Sequence, residues 1–365
     1  PGTSAQERSE GMKLQFLGKR IAGIHVVLPR HEQSFVDDMA RFGMPESRSL
    51  KLKEVMGYDR HRLVEDGVCV SDLAVAGLEQ LFETGQLGRD DFDALIVLTQ
   101  SPDYFMPATS NVIQGRLNLK QDLLCLDIPQ GCAAFLVGLI QSFMLLEQPS
   151  IRRVVMIAGD VMSRKVCSRD RNSYPLIGDA IGITIIENEP GGSAIHANLK
   201  MDGTQREALM IPAGGFRLPC SAETAVELDA GDNNYRSLDN LRMDGTAVFN
   251  FVQREVPPMI DDLLSAANAE RESIDYFLFH QPNRFMLEKL AAKMQVPIEK
   301  MPCNIVQHYG NASGATIPLN IVHNIGPQLL NGSLRVCFAG FGVGLTWSSM
   351  LMTLGPLDFC SMQEV

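Results

Sequence analysis

The chain has 365 residues, of which 45% are hydrophobic and 21% charged; this is enough apolar material for a large core and excludes a mostly disordered or low-complexity protein. Its 32 basic and 43 acidic residues give a formal net charge of −11 without any block of like charges, which excludes nucleic acid as an expected partner. The length fits a pair of packed halves.

The chain begins with a polar segment, residues 1–11, that we interpret as a disordered tail or a vector-derived remnant. This segment lacks the pattern of a signal peptide, so we expect a cytoplasmic protein. The longest apolar stretch, residues 133–146, is shorter than the roughly 20 residues that cross a bilayer. It predicts a core helix, and we expect no membrane insertion. The eight cysteines show no CxxC or paired Cys/His spacing, so we expect neither a metal site nor a disulfide framework.

Short apolar runs alternate with helix-length segments from Met12 onward. Residues 93–99, 123–127 and 153–158 form three such runs. Continuous apolar strands are typical of a sheet that is covered on both faces, and the alternation with helices predicts the α/β class.

The second half of the chain repeats this layout. The runs at 276–279 and 335–339 resemble those of the first half, and we expect a strand, a turn and a long helix within both 125–146 and 301–325. Self-similarity at half the chain length predicts a duplicated fold, whose equivalent turns meet across a pseudo-two-fold axis. We place the two halves at residues 12–190 and 191–365, with the division near the Asn-Glu-Pro-Gly-Gly segment 188–192.

Residues 202–240 show little periodicity. A segment of this length in a compact fold is often a lid or a substrate-facing loop, and a surface loop without consequence is the alternative.

Cys132 follows a predicted strand and turn and stands at the start of the apolar helix. A thiol there faces unpaired helix N–H groups and the positive end of the helix dipole, which favours the thiolate and makes Cys132 a candidate nucleophile. Its own N–H is also suited to bind an oxyanion. The alternative is a small buried residue that allows close packing of helix and strand.

Two polar residues of the second half are further candidates. His280 ends the strand 276–279, and ligands collect at the carboxyl ends of strands in open α/β sheets. Asn311 lies among small residues before the helix that corresponds to the Cys132 helix, and its amide can donate to a developing anion without carrying charge. A structural histidine and a simple turn asparagine are the alternatives.

The segment Gly340-Phe-Gly-Val-Gly344 is rich in glycine, but a strand-like stretch follows it and no acidic residue stands at the distance expected of a dinucleotide-binding loop. We therefore predict a turn between two strands that supplies an N–H group to a neighbouring site.

Together these segments resemble the motifs of thiolase-superfamily condensing enzymes, and among them the β-ketoacyl-acyl-carrier-protein synthase III group. The motifs are Gly131-Cys132-Ala133, His280-Gln-Pro-Asn283, Tyr309-Gly-Asn311 and residues 340–347, and the similarity extends over about residues 17–354. The resemblance implies a five-layered αβαβα fold made of two thiolase-like halves, and a homodimer. It also implies that the substrates are thioesters of acyl-carrier protein or coenzyme A, without a separate cofactor.

The resemblance further implies a role for each motif. Cys132 takes an acyl group from a thioester, and the N–H groups of Cys132 and Val343 form the oxyanion hole. His280 and Asn311 hydrogen-bond the thioester carbonyl of a malonyl-type extender and stabilise the enolate left when carbon dioxide departs. The carbanion then attacks the acyl-cysteine to give a β-ketoacyl thioester. The substrate-binding positions implied by the same analogy are Met106, which approaches the acyl pocket of a partner subunit, Asn283, Arg284 and Phe341.

Several positions depart from the pattern of the group. Val343 replaces a glycine, residues 51–62 lack the Trp and the Arg with which related enzymes bind the adenine end of coenzyme A, and Arg284 stands one place before the usual carrier-docking arginine. These departures favour a carrier-bound or larger acyl group over acetyl-coenzyme A, and a specialised lipid or polyketide pathway.

Two other functions stay open at this point. One is acyl transfer from Cys132 to an alcohol or amine without loss of carbon dioxide, although the presence of Asn311 counts against it. The other is a non-catalytic partner subunit that binds acyl chains or a carrier protein.

Overall fold

The computed structural model describes residues 12–365, so the predicted tail at residues 1–11 lies outside the described residues. The strands are, in chain order, β1 (Met12–Phe16), β2 (Lys19–Leu28), β3 (Glu32–Ser34), β4 (Arg60–Arg62), β5 (Ala94–Leu98), β6 (Leu124–Ile128), β7 (Arg153–Asp160), β8 (Ala180–Asn188), β9 (Ile195–Met201), β10 (Leu209–Met210), β11 (Leu228–Asp229), β12 (Tyr235–Arg236), β13 (Arg242–Met243), β14 (Tyr276–Phe279), β15 (Leu334–Gly342), β16 (Thr346–Leu354) and β17 (Phe359–Glu364). The α-helices are α1 (Phe35–Asp38), α2 (Glu46–Met56), α3 (Val70–Glu83), α4 (Thr109–Arg116), α5 (Ala134–Leu145), α6 (Gly245–Ala266), α7 (Arg284–Met294), α8 (Ile305–Tyr309) and α9 (Thr316–Leu329).

Two large sheets organise the molecule. One has six strands in the order β17-β2-β8-β7-β5-β6, and the other has five in the order β1-β9-β16-β15-β14. In the six-stranded sheet, β5, β6 and β7 are parallel, whereas β8 is antiparallel to its neighbours β2 and β7. In the five-stranded sheet, β14 and β15 are parallel, whereas β16 is antiparallel to its neighbours β15 and β9. Both sheets are therefore mixed.

The side chains of each central strand alternate between two hydrophobic cores. In β5, Ile96 contributes to the core between the sheets and Val97 to an outer core with α3 and α4. In β15, Phe338 contributes to the core between the sheets and Phe341 to the second outer core with α6 and α7. Because α5 and α9 fill the space between the sheets, the layers are helix, sheet, helix, sheet, helix, as predicted.

The first and last described strands belong to the sheet of the opposite half. Strand β1 pairs with β9 in the five-stranded sheet, and β17 pairs with β2 in the six-stranded sheet. Each proposed half therefore contributes one terminal strand to the sheet of the other half. The division of the chain near residue 190 stays a prediction.

One expected element is wrong. The strand predicted near the start of 301–325 does not form, and the short helix α8 and a 3-10 turn precede α9 instead. The carbonyl of Pro302 accepts a hydrogen bond from the Gln281 side chain at 2.9 Å rather than from a neighbouring strand. By contrast, β15 and β16 are antiparallel neighbours joined by residues 343–345, which confirms the turn predicted between two strands. Within residues 12–365, no helix has both the length and the hydrophobicity needed to span a bilayer.

Candidate active site

Cys132 lies in the turn between β6 and α5, two residues before the first residue of the helix. The end of β15 packs directly against it, since a Cβ atom added to Gly342 would lie 2.7 Å from the Cys132 Sγ and 2.6 Å from its Cβ. Only glycine leaves room for the thiol at this position. The backbone N–H groups of Val343 and of Cys132 itself form hydrogen bonds with the sulfur, so two donors converge on the atom expected to carry the acyl group.

The backbone N–H groups at Cys132 favour the thiolate as expected, but the burial of the thiol outweighs them. Burial, the largest cause, and the nearby carboxylate of Asp160 both act to raise the pKa of the Cys132 thiol, which is about 11. Hydrogen bonds from the two N–H groups and from the Ser313 side chain lower this pKa but do not offset the effect of burial. The resting residue is therefore a neutral thiol at physiological pH.

His280 follows the last residue of β14, and its backbone N–H extends the strand pairing by donating to Ala339 O at 2.8 Å. The ring is 1% exposed, and its Nδ1 lies 2.7 Å from the Thr316 Oγ1 at the start of α9. Burial lowers the pKa of His280 to about 3, while a hydrogen bond with the Ser313 backbone acts in the opposite direction. His280 is consequently a neutral imidazole.

Asn311 is fixed by the first half of the chain. Its N–H donates to Leu176 O at 2.7 Å, and its carbonyl accepts from the Gly178 N–H at 3.2 Å. The side-chain Oδ1 accepts from the Ser313 N–H at 2.9 Å. With its oxygen engaged, the carboxamide presents the Nδ2 hydrogens as donors.

The three candidate residues line one cavity of about 370 Å³, which is otherwise mostly apolar. A second cavity of about 160 Å³ shares Cys132 and Asn311 with the first and extends away from His280. Its other lining residues are mainly aliphatic and Met side chains: Met162, Leu176, Ile177, Leu209, Met210, Ile211, Leu241 and Met243. The sulfur therefore stands at the junction of two spaces, one with the polar donors and one suited to an alkyl chain.

Of the remaining predicted site residues, some line one of the two cavities and others do not. Phe341 and Asn283 line the larger cavity, although the Asn283 side chain also caps α7 by accepting from Met286 N at 2.9 Å. Val343 lines the smaller cavity. Arg284 does not line the larger cavity in the described chain, because its guanidinium donates to the backbone carbonyl of Glu54.

Met106 also lies apart from the cavities of the described single chain. Its side chain is 81% exposed, next to the exposed Phe105. Phe105 contacts Phe216 with ring centroids 5.5 Å apart. This apolar surface is on the outside of the chain.

Sequence reasoning missed several residues around the sulfur. Asp160, at the end of β7, is fully buried and accepts hydrogen bonds from Thr99 Oγ1 at 2.8 Å and from Gln100 N at 2.6 Å. Thr316 was present in the run of small residues after Asn311, but nothing in that pattern distinguishes its hydroxyl. The segment 202–240, for which two interpretations stayed open, contributes residues 209–211 to the wall of the smaller cavity. This part of the segment therefore faces the site.

Comparison with known proteins gives consistent matches. Residues 126–203 match the family described as 3-oxoacyl-[acyl-carrier-protein (ACP)] synthase III, and residues 264–354 match its C-terminal part. The β-ketoacyl-[acyl-carrier-protein] synthase III of Rhodopirellula baltica is 30% identical over 353 residues, which cover 92% of this chain and 98% of the relative. That of Streptococcus gordonii is 32% identical over 286 residues, which cover 78% and 84%.

A solved structure agrees with these matches. The crystal structure of a 3-oxoacyl-(acyl-carrier protein) synthase from Burkholderia xenovorans superimposes with a TM-score of 0.89 at 34% identity, covering 97% of this chain and 99% of that one. The predicted thiolase-like fold is confirmed.

Proposed function

Because this chain belongs to the 3-oxoacyl-[acyl-carrier-protein] synthase III family, we propose that it is an acyltransferase that condenses a Cys132-bound acyl group with a malonyl-type thioester, with loss of carbon dioxide. The observation that carries the proposal is the convergence of Cys132, His280 and Asn311 on one cavity, although they come from three distant parts of the chain. The product is a β-ketoacyl thioester.

The first half-reaction is acylation of Cys132. The sulfur attacks the carbonyl carbon of a donor thioester, the donor's C–S bond breaks, and the proton of the Cys132 thiol ends on the departing thiol. Negative charge builds on the carbonyl oxygen during this attack. The N–H groups of Val343 and Cys132, which already converge on the sulfur, are the donors proposed to stabilise that charge.

The second half-reaction needs donors without charge. When the malonyl-type thioester loses carbon dioxide, the electron pair of the broken bond passes to an enolate whose oxygen accepts hydrogen bonds from His280 Nε2 and Asn311 Nδ2. The enolate carbon attacks the acyl carbon, the bond to the Cys132 sulfur breaks, and the sulfur takes up a proton. Because the pKa of His280 is lowered to about 3, the ring acts as a neutral donor and does not bind the malonyl carboxylate as a cation.

The two cavities support a division between the acyl group and the extender. The smaller, aliphatic cavity is suited to the acyl chain, and the larger cavity, with His280, Asn283 and Phe341, to the extender and its pantetheine arm. Both half-reactions are thioester chemistry, so we propose substrates bound to acyl-carrier protein or coenzyme A and no separate cofactor. The step belongs to a lipid or polyketide pathway, and the primer is a carrier-bound or larger acyl group.

A homodimer in the cytoplasm is the proposed working form. Support comes from the exposed apolar surface formed by Tyr104, Phe105, Met106 and Phe216, and from β6, which is an edge strand of the six-stranded sheet. In a homodimer, Met106 of the partner subunit would close the acyl cavity. A single-chain mass by light scattering would contradict this assembly.

The proposal is tested by incubating the protein with a panel of acyl-coenzyme A and acyl-carrier thioesters and measuring the mass of the intact protein. We expect one acyl group to be added to the wild type and to a Cys125→Ala control, and none to Cys132→Ala. Loading of Cys132→Ala, or failure of the wild type with every donor, would contradict the assignment and favour a non-catalytic subunit.

A further inference from the structure

The hydroxyl group of Thr316 lies against the ring of His280 in a fully buried position. Its Oγ1 is 2.7 Å from the His280 Nδ1 and 2.9 Å from the Ser313 carbonyl oxygen, and it accepts a hydrogen bond from the Gln281 N–H at 3.3 Å. Thr316 is 0% exposed and His280 is 1% exposed. Because both groups are buried, bulk water has no access to replace this hydroxyl as the partner of Nδ1.

A single hydrogen decides the protonation pattern of the ring. Thr316 has one hydroxyl hydrogen, and two acceptors are within its reach, Nδ1 and the Ser313 carbonyl. If the hydrogen points to Nδ1, the neutral ring carries its own hydrogen on Nε2. If it points to Ser313, Nδ1 must carry the ring hydrogen and Nε2 presents a lone pair.

The two patterns have opposite effects on an enolate. An Nε2–H group donates to the enolate oxygen as charge develops there, whereas an Nε2 lone pair repels it. The distances of 2.7 and 2.9 Å are compatible with either direction of the hydroxyl hydrogen. The chemistry of the second half-reaction favours donation to Nδ1.

We propose that Thr316 is a positioning residue that donates to the Nδ1 of His280 and thereby keeps the ring in the Nε2–H form needed for decarboxylation. This inference rests on the proposed condensing function and adds a residue to it. Thr316 acts through His280 and touches neither substrate nor sulfur, so its effect belongs to the second half-reaction alone.

The same turn orients both donors. The Ser313 N–H fixes the Asn311 carboxamide at 2.9 Å, and three residues later Thr316 contacts His280. Ser313 adopts a left-handed backbone conformation with φ of 52°, which is uncommon for a residue other than glycine. Residues 311–316 therefore contact both of the groups proposed to face the extender.

The test uses Thr316→Val, which keeps the shape of the side chain and removes the hydroxyl, and Thr316→Ser, which keeps the hydroxyl. Acyl loading of Cys132 is measured by intact mass, and carbon dioxide release from a malonyl-carrier thioester is measured separately. We expect Thr316→Val to load normally but to release carbon dioxide about 100-fold more slowly, the usual scale for losing one donor to a developing anion. Thr316→Ser should retain both activities.

Thr184→Val is the matched control, because Thr184 is a buried threonine whose hydroxyl has no hydrogen-bond partner within the described residues. It should leave both half-reactions unchanged. Normal carbon dioxide release by a loaded, folded Thr316→Val protein would overturn the proposal.

The nitrogen-15 spectrum of the wild-type histidines provides a readout that does not depend on the stability of any variant. We expect a neutral His280 ring protonated on Nε2, and a ring protonated on Nδ1 would also overturn the proposal. If the wild type releases no carbon dioxide at all, the proposed function fails, while the spectrum still decides the role of Thr316.

Discussion

At the level of single residues, burial keeps both the Cys132 thiol and the His280 ring uncharged before the reaction begins. Cys132 is a neutral thiol because burial and the Asp160 carboxylate outweigh its hydrogen-bond donors, and His280 is a neutral ring because it is buried. An ion pair between thiolate and imidazolium is therefore not the resting state. The charges of both half-reactions arise only during reaction, next to donors that are already in position.

The contribution of Asp160 gives a prediction about pH. Burial raises the pKa of Asp160 itself, so this carboxyl carries its negative charge only at pH values above that raised pKa. In that range, replacing Asp160 with Asn removes a charge that raises the pKa of Cys132, so the pKa of the thiol should fall. Since only the thiolate reacts with iodoacetamide, alkylation at pH 8 should become up to about tenfold faster, which corresponds to one pKa unit. The pH profile of Cys132 alkylation, followed by intact mass, should move to lower pH.

The control for this prediction is Asp179→Asn. Asp179 is also a buried carboxylate, but it hydrogen-bonds Val64 N and the side chain of Ser163 instead of facing the sulfur. We expect that variant to leave the profile in place. A profile of Asp160→Asn that stays where it is, or that moves to higher pH, would show that the carboxylate does not act on the thiol as described.

At the element scale, one bridge between segments of the two halves sets the position of Asn311. Ile177 and Asn311 form a parallel β-bridge outside the large sheets. The approach is so close that a Cβ atom added to Gly178 would lie 2.0 Å from Tyr309 O. Because the neighbouring atom belongs to the backbone, a side-chain rotation provides no relief.

We therefore predict that Gly178→Ala displaces the segment that carries Asn311. The variant should lose about 1–3 kcal/mol of unfolding free energy, as overpacked interiors do. Its carbon dioxide release should fall more than its acylation of Cys132. Chemical denaturation and the two separate half-reactions measure these effects. In the control Gly115→Ala, an added Cβ meets nothing within 4 Å, so the unfolding free energy should not fall and the two half-reactions should be unchanged. Equal behaviour of the two variants would contradict the role of the bridge.

Several elements could be predicted from the sequence because their signals are local. The apolar runs at 93–99 and 153–158 became the buried strands β5 and β7, the run at 123–127 became the partly exposed edge strand β6, and the stretch from Ala133 became α5. The absent strand near residue 301 shows the limit of this reasoning. A short apolar segment does not reveal whether a neighbouring strand is available to pair with it.

At the scale of the whole molecule, the site exists only when the two halves pack together. Cys132 comes from the first half, His280 and Asn311 come from the second, and all three line one cavity. The sequence motifs identified these residues, but not their electrostatics. The pKa of Cys132 depends on packing by Gly342 and Val343, more than 200 residues away, and the partner of His280 is a hydroxyl group on another element. The sequence also did not predict that β1 pairs with β9 and β17 with β2, because these pairings depend on which sheet edges are available.

The proposed condensation is tested by following an acyl group from Cys132 into product. The acyl-protein is formed with an isotopically labelled donor, freed of excess donor and mixed with a malonyl-carrier thioester. We expect the label to leave Cys132 and to appear in a β-ketoacyl thioester, with one carbon dioxide released for each label transferred. Transfer of the label to an alcohol, an amine or water without carbon dioxide, or retention of the label on the protein, would contradict the proposed condensation.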